Sequence, residues 1–111
     1  MRSFSSTGSP ELDTAVQDWL HIDKNESTKS ELLELVKTSG VEELEKMLTI
    51  RMAFGTAGLR ARMGPGYSCM NDVTVIQTSQ GFARYLLEHD ESSTRKNGVI
   101  IGFDARHNSD R

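Results

Sequence analysis

The residues with the clearest chemical potential lie in Phe54-Gly55-Thr56-Ala57-Gly58-Leu59-Arg60-Ala61-Arg62-Met63-Gly64-Pro65-Gly66. Four of the chain's nine glycines fall in this run, with one hydroxyl and two guanidinium groups between them. Glycine lets a backbone take positive φ or approach a ligand closely. Gly64-Pro65-Gly66 marks a turn, so the run reads as a strand followed by a turn. On a continuous strand Thr56 and Arg60 point to one face, because side chains alternate with period two. Backbone N–H groups around Gly55 to Gly58, the Thr56 hydroxyl and the Arg60 fork would together suit a phosphate. The same residues also read as a glycine-rich turn whose arginines are merely solvated.

Phe54-Gly55-Thr56-Ala57-Gly58-Leu59-Arg60 resembles the N-terminal signature G-T-[SA]-G-[LI]-R of the α-D-phosphohexomutase superfamily. Met63-Gly64-Pro65-Gly66 and Met70 through Gly81 are similar to the phosphoglucomutase-2 / phosphopentomutase branch, as is the leader Trp19-Leu20-His21-Ile22-Asp23-Lys24-Asn25. The resemblance implies a phosphorylated sugar as substrate, with glucose 1- and 6-phosphates or pentose 1- and 5-phosphates interconverted through a bisphosphate and an enzyme phosphoserine. It implies Mg2+ and a sugar bisphosphate as cofactors of whole family members, a monomer, and phosphate contact by Arg60, with Thr56 and Gly58 shaping the same wall. Arg62 lies beyond the signature, and a structural or solvent role suits it better. The family's serine loop (T-A-S-H-N-P), metal loop and sugar loop have no counterpart here, and Ser109 lacks the motif around it. The chain is therefore expected to carry no catalytic residue or metal site, to bind neither cofactor, and to have no turnover alone. A glucose 1,6-bisphosphate synthase shares this N-terminal part.

Three helices should precede the glycine-rich run. Ser9-Pro10 starts the first, with Leu12, Ala15, Val16, Trp19 and Leu20 on one stripe. Thr28 to Glu31 fits a capping box ahead of Leu32, Leu33, Leu35 and Val36, with Gly40 as its stop. Ser39 to Glu42 repeats the pattern before Val41, Leu44 and Leu48. These helices could form a small bundle, clamp a larger domain, or act as a non-catalytic protein-interaction module. Trp19 is read as core, and His21 as packed or solvated.

Asn71 or Asp72 should cap a further helix, whose Val73, Val75, Ile76, Phe82, Ala83, Leu86 and Leu87 form a face wide enough to pack on a sheet. Glu88 to Asn97 reads as a surface loop, with His89 unremarkable. Gly98 to Phe103 reads as a buried strand. Asp104-Ala105-Arg106 falls at its carboxyl end, where open α/β sheets hold ligands, or forms an ion pair that fixes the loop. The expected class is α/β: N-terminal helices, then the beginning of a mixed or parallel sheet domain. The expected boundaries are a flexible leader over 1–8, a helical extension over 9–50, and the first part of phosphohexomutase domain I over 51–111. So few strands, with an apolar edge, predict marginal stability and aggregation.

The totals narrow the partners. A net charge of −3 gives no electrostatic case for nucleic acid or an anionic membrane. No apolar run approaches the ~20 residues of a membrane span, and Met1 to Pro10 lacks the apolar core of a secretory signal. The single cysteine, Cys69, excludes an internal disulfide framework and reads as a surface thiol in a reducing, cytoplasmic setting.

Overall fold

The computed structural model describes residues 7–55 and 58–106. They divide into two compact units, Met1–Thr78 and Ser79–Arg111. The chain is α/β in class, with helices preceding a small sheet. Its elements in order are α1 (Pro10–Ile22), α2 (Glu26–Thr38), α3 (Val41–Thr49), β1 (Phe54–Gly55), β2 (Gly58–Leu59) and α4 (Asp72–Asn97).

Helix α1 starts as its sequence dictates. Ser9 is extended and its hydroxyl accepts from the Leu12 N–H, with Pro10 in the first turn. Leader residues 1–6 lie outside the described residues; Thr7 donates from both its N–H and its hydroxyl to Asp13 Oδ1 (2.8 and 2.7 Å). The apolar stripe of α1 packs on α3, so Leu12, Val16, Trp19 and Leu20 meet Leu44, Met47 and Leu48, joined by Leu32 and Val73. Trp19 is fully buried, as expected of a core residue.

Two helix starts differ from expectation. The N-cap of α2 is Asn25, whose Oδ1 accepts from the Ser27 N–H at 3.0 Å. Thr28 instead donates its hydroxyl to Asp23, so the capping box is not made. Asp23 explains the choice. Its carboxylate is wholly buried and also accepts from Trp19 Nε1 (3.1 Å) and from the Asn25 N–H (2.9 Å). A buried charge is tolerated only with such partners. Ser39 closes α2 by donating its N–H to Leu35 O, and Gly40 begins α3 with no side-chain cap. Gly40 has a negative φ (−76°), so it is not the left-handed stop of α2.

The turn after the glycine-rich run is enclosed. Gly64, Pro65 and Gly66 are buried, and Gly66 has φ +104°. A Cβ on Gly66 would lie 2.4 Å from Met47 O, the carbonyl that accepts from the Ser68 N–H. Cys69 is buried, which corrects the surface-thiol reading.

In the second unit, the segment expected as a loop continues α4 to Asn97, with a break in helical geometry at Asp90 (φ −154°, ψ 46°). Its charges support helix through the i,i+4 pairs Arg84–Glu88 and Glu91–Arg95. Gly98, at φ +75°, ends it by donating its N–H to Thr94 O. The strand expected at 98–103 is not formed among the described residues. Ile100 is 99% exposed, and no neighbouring strand offers the ladder that strand geometry needs. Along α4, Val75 and Ile76 of the first unit and Phe82 and Leu87 of the second are likewise exposed.

Replacing Asp23 by Ala strands the buried Trp19 N–H and is expected to cost about 2–3 kcal/mol in a denaturant melt, with Asp23→Asn losing less. Gly66→Ala combines a disfavoured φ with a backbone clash and is expected to cost about 2 kcal/mol or more by the same melt. A midpoint unchanged from the parent in either case would contradict the arrangement described.

Candidate functional site

The glycine-rich run folds as a hairpin rather than a single strand. β1 and β2 pair antiparallel, Phe54 opposite Leu59 and Gly55 opposite Gly58. Gly58 takes φ +101°, which favours glycine although nothing lies within 4 Å of a built Cβ. Arg60 follows β2 directly. It is exposed, and no described residue bonds or pairs with its guanidinium. Thr56 lies outside the described residues. Because Phe54-Gly55 and Gly58-Leu59 pair antiparallel, they are not one continuous strand, along which alone period-two alternation would hold.

The hairpin stands on two feet. At the first, the Met52 N–H donates to Tyr67 O (3.3 Å), and the Arg51 guanidinium lies 4.5 Å above the Tyr67 ring. Arg51 Nη1 also donates to Gln77 Oε1 at 2.9 Å. At the second foot, the Met70 N–H donates to Arg62 O (2.8 Å) and the Gly64 N–H to Met70 O (3.1 Å), which sets Met63 beside Met70 in a parallel bridge. Asn71 locks this foot to α4. Its Nδ2 donates to Gly64 O and Gly66 O, both at 2.8 Å, and to Cys69 O at 3.2 Å. Its Oδ1 accepts from the Thr74 N–H, and Thr74 Oγ1 accepts from the Asn71 N–H, a reciprocal cap on the first turn.

Charge is distributed unevenly. Residues 51–71 contain three arginines and no aspartate or glutamate, in a chain whose net charge is −3. Arg51 is engaged at the first foot, while Arg60 and Arg62 are exposed with no side-chain partner among the described residues. A guanidinium in that state offers a planar fork to phosphoryl oxygens.

The remaining sequence candidates are accounted for by local contacts. Arg106 Nε pairs with Asp104 Oδ2 (2.6 Å), and the Arg106 N–H donates to Asp104 Oδ1 (3.1 Å), so this pair fixes its own loop. His21 O accepts from Lys24 Nζ, and His89 stacks on Tyr85 at 4.5 Å. Ser109 lies outside the described residues. Among the described residues no three His, Cys, Asp or Glu side chains gather where they could hold a metal ion. Sequence reasoning passed over Arg51, which precedes the signature; only the proximity of Tyr67, distant along the chain, gives it a role.

Residues 51–111, more than half of the chain, match the family model described as phosphoglucomutase/phosphomannomutase, alpha/beta/alpha domain I. Phosphopentomutase of Homo sapiens is 52% identical over 95 residues, covering 86% of this chain and 15% of its own length. Glucose 1,6-bisphosphate synthase of Mus musculus is 46% identical over 100 residues (90% and 16%), and phosphoribomutase of Saccharomyces cerevisiae 37% over 99 (89% and 15%). The chain thus spans about a sixth of the length of these relatives, and the matched lengths reach back beyond residue 51 into the helices. No solved structure gives a significant match. A chain with this signature on a hairpin, preceded by helices and matched in this way, belongs to the phosphoglucomutase/phosphomannomutase family, in the branch of the phosphopentomutases and glucose 1,6-bisphosphate synthases.

Proposed function

We propose that Arg60 grips the phosphate of a phosphorylated hexose or pentose, with Gly58 and Thr56 shaping the wall beside it. The observation that carries this reading is an exposed guanidinium, without a partner among the described residues, close to a positive-φ glycine in a segment without acidic residues. Such a segment draws an anion, and the Arg60 fork fixes its orientation.

The reaction supported best is transfer of a phosphoryl group between two hydroxyls of one sugar. An enzyme phosphoserine gives its phosphoryl group to the free hydroxyl of a sugar monophosphate, forming a bisphosphate. The bisphosphate then returns its other phosphoryl group to the serine, leaving the isomeric monophosphate. Phosphoryl transfer depends mainly on positioning and on neutralising oxygen charge. Arg60 does the second of these at one phosphate. In whole relatives Mg2+ would neutralise charge at the transferring group. The substrates proposed are glucose 1- and 6-phosphates, pentose 1- and 5-phosphates, or both. Synthesis of glucose 1,6-bisphosphate is a second reading, favoured by the 46% identity to the mouse synthase over 90% of this chain. We place the protein in the cytoplasm as a monomer.

Titration of the ¹⁵N-labelled chain with glucose 6-phosphate and ribose 5-phosphate is expected to shift the amides of Gly58 to Arg62. Arg60→Ala is expected to weaken binding about tenfold to hundredfold, the value of one or two charge-assisted hydrogen bonds, and Arg60→Lys to restore little of it. Shifts that map elsewhere, or Arg60→Ala binding as tightly as the parent, would refute the assignment. In a coupled assay the purified 111-residue polypeptide is expected to convert no glucose 1-phosphate to glucose 6-phosphate; measurable turnover would show that one wall of the site suffices.

A further inference from the structure

The hairpin that carries Gly58 and Arg60 has little to hold it in shape. Its ladder is two residue pairs, and no described residue from Phe54 to Arg62 is buried; Phe54 is 79% exposed. A two-stranded ribbon without a hydrophobic face does not order itself in water. Order at Arg60 must therefore come from the feet. The second foot is backbone pairing to Met70, secured by Asn71. The first depends on side chains: Arg51 lies on the Tyr67 ring and bonds Gln77, while Tyr67 meets buried Trp19 edge-on, with centroids 5.0 Å apart and an interplanar angle of 85°. Trp19 is in turn held by Asp23. An unbroken line of contacts thus runs from the core to the base of the hairpin.

We propose that Arg51 is a positioning residue, whose guanidinium clamps the hairpin base to Tyr67 and Gln77 so that Arg60 is already in place when a phosphate arrives. This rests on the reading of Arg60 as a phosphate ligand. Ordering a loop before binding raises affinity, because the ordering entropy is not charged to the ligand. Lysine does not replace Arg51, since a compact ammonium does not cover the Tyr67 ring as a planar guanidinium does while also bonding Gln77 Oε1.

Two measurements on the chain test this. Backbone ¹⁵N relaxation without ligand reads order at Gly58 and Arg60, and titration with inorganic phosphate and ribose 5-phosphate reads affinity. Arg51→Ala is expected to lower the order parameters there from about 0.85 to below about 0.6, and to weaken binding about threefold to tenfold. Arg51→Lys should do the same although it keeps the charge, and Tyr67→Phe should do neither because it keeps the ring. Amide protection at Leu12, Val16 and Leu44 should be unchanged, showing that the core is intact. Unchanged order in Arg51→Ala, or Arg51→Lys behaving as the parent, overturns the proposal; the latter would mean that charge alone matters. If the parent chain binds no phosphate, the Arg60 reading fails by itself, and the order parameters still decide the role of Arg51.

Discussion

A carboxylate shut away from solvent holds the first unit together. Asp23 terminates α1, its side chain faces inward, and three donors from α1, α2 and the corner between them converge on its two oxygens. A buried charge with fewer partners would cost several kcal/mol, so this corner has little freedom to rearrange. The constraint spreads outward. Because Trp19 must aim its indole N–H at Asp23, its ring stands where Tyr67 can meet it at near right angles, and Tyr67 in turn supports Arg51. Asn25, the next capping residue, extends its Nδ2 to Asp72 Oδ2 at the start of α4, 47 residues along the chain. The leader W-L-x-x-D-K-N is thus a structural device joining the helical extension to the glycine-rich segment.

Asn71 does comparable work at the other end of that segment. One carboxamide serves as the N-cap of α4 and as donor to three carbonyls of the preceding turn. Two hydrogens shared among three acceptors make a tight knot. It closes around Pro65 and Gly66, and the Met47 carbonyl approaches Gly66 too nearly for any side chain. Between this knot and the Tyr67 stack, no described residue from Phe54 to Arg62 is buried.

The second unit shows the opposite balance. Its helix is sustained by local charge pairs and stopped by a left-handed glycine, all within one or two turns. The run after it is as apolar as any in the chain, yet Ile100, Ile101 and Phe103 are exposed. Strand formation is a property of pairs, so an apolar run without a neighbour has nothing to hydrogen-bond with. The family match across residues 51–111 describes an alpha/beta/alpha domain, in which such a run would have neighbours.

What the sequence determined by itself were features set within a few residues. The Ser9-Pro10 start of α1, the apolar stripes of α1 to α3 and a cap at Asn71 or Asp72 were all legible, as was the glycine signature that places the chain in its family. The tertiary structure alone decided matters that join distant residues. It made Asn25 rather than Thr28 the cap of α2, because Asp23 claims the Thr28 hydroxyl. It folded the glycine run back as a hairpin, engaged Arg51 while leaving Arg60 open, buried Cys69, and left residues 98–103 outside any sheet. Caps and helical periodicity act over one turn and are written in local residue order. Ladders, ring stacks and the filling of a core depend on which remote surfaces meet, and residue order does not state that.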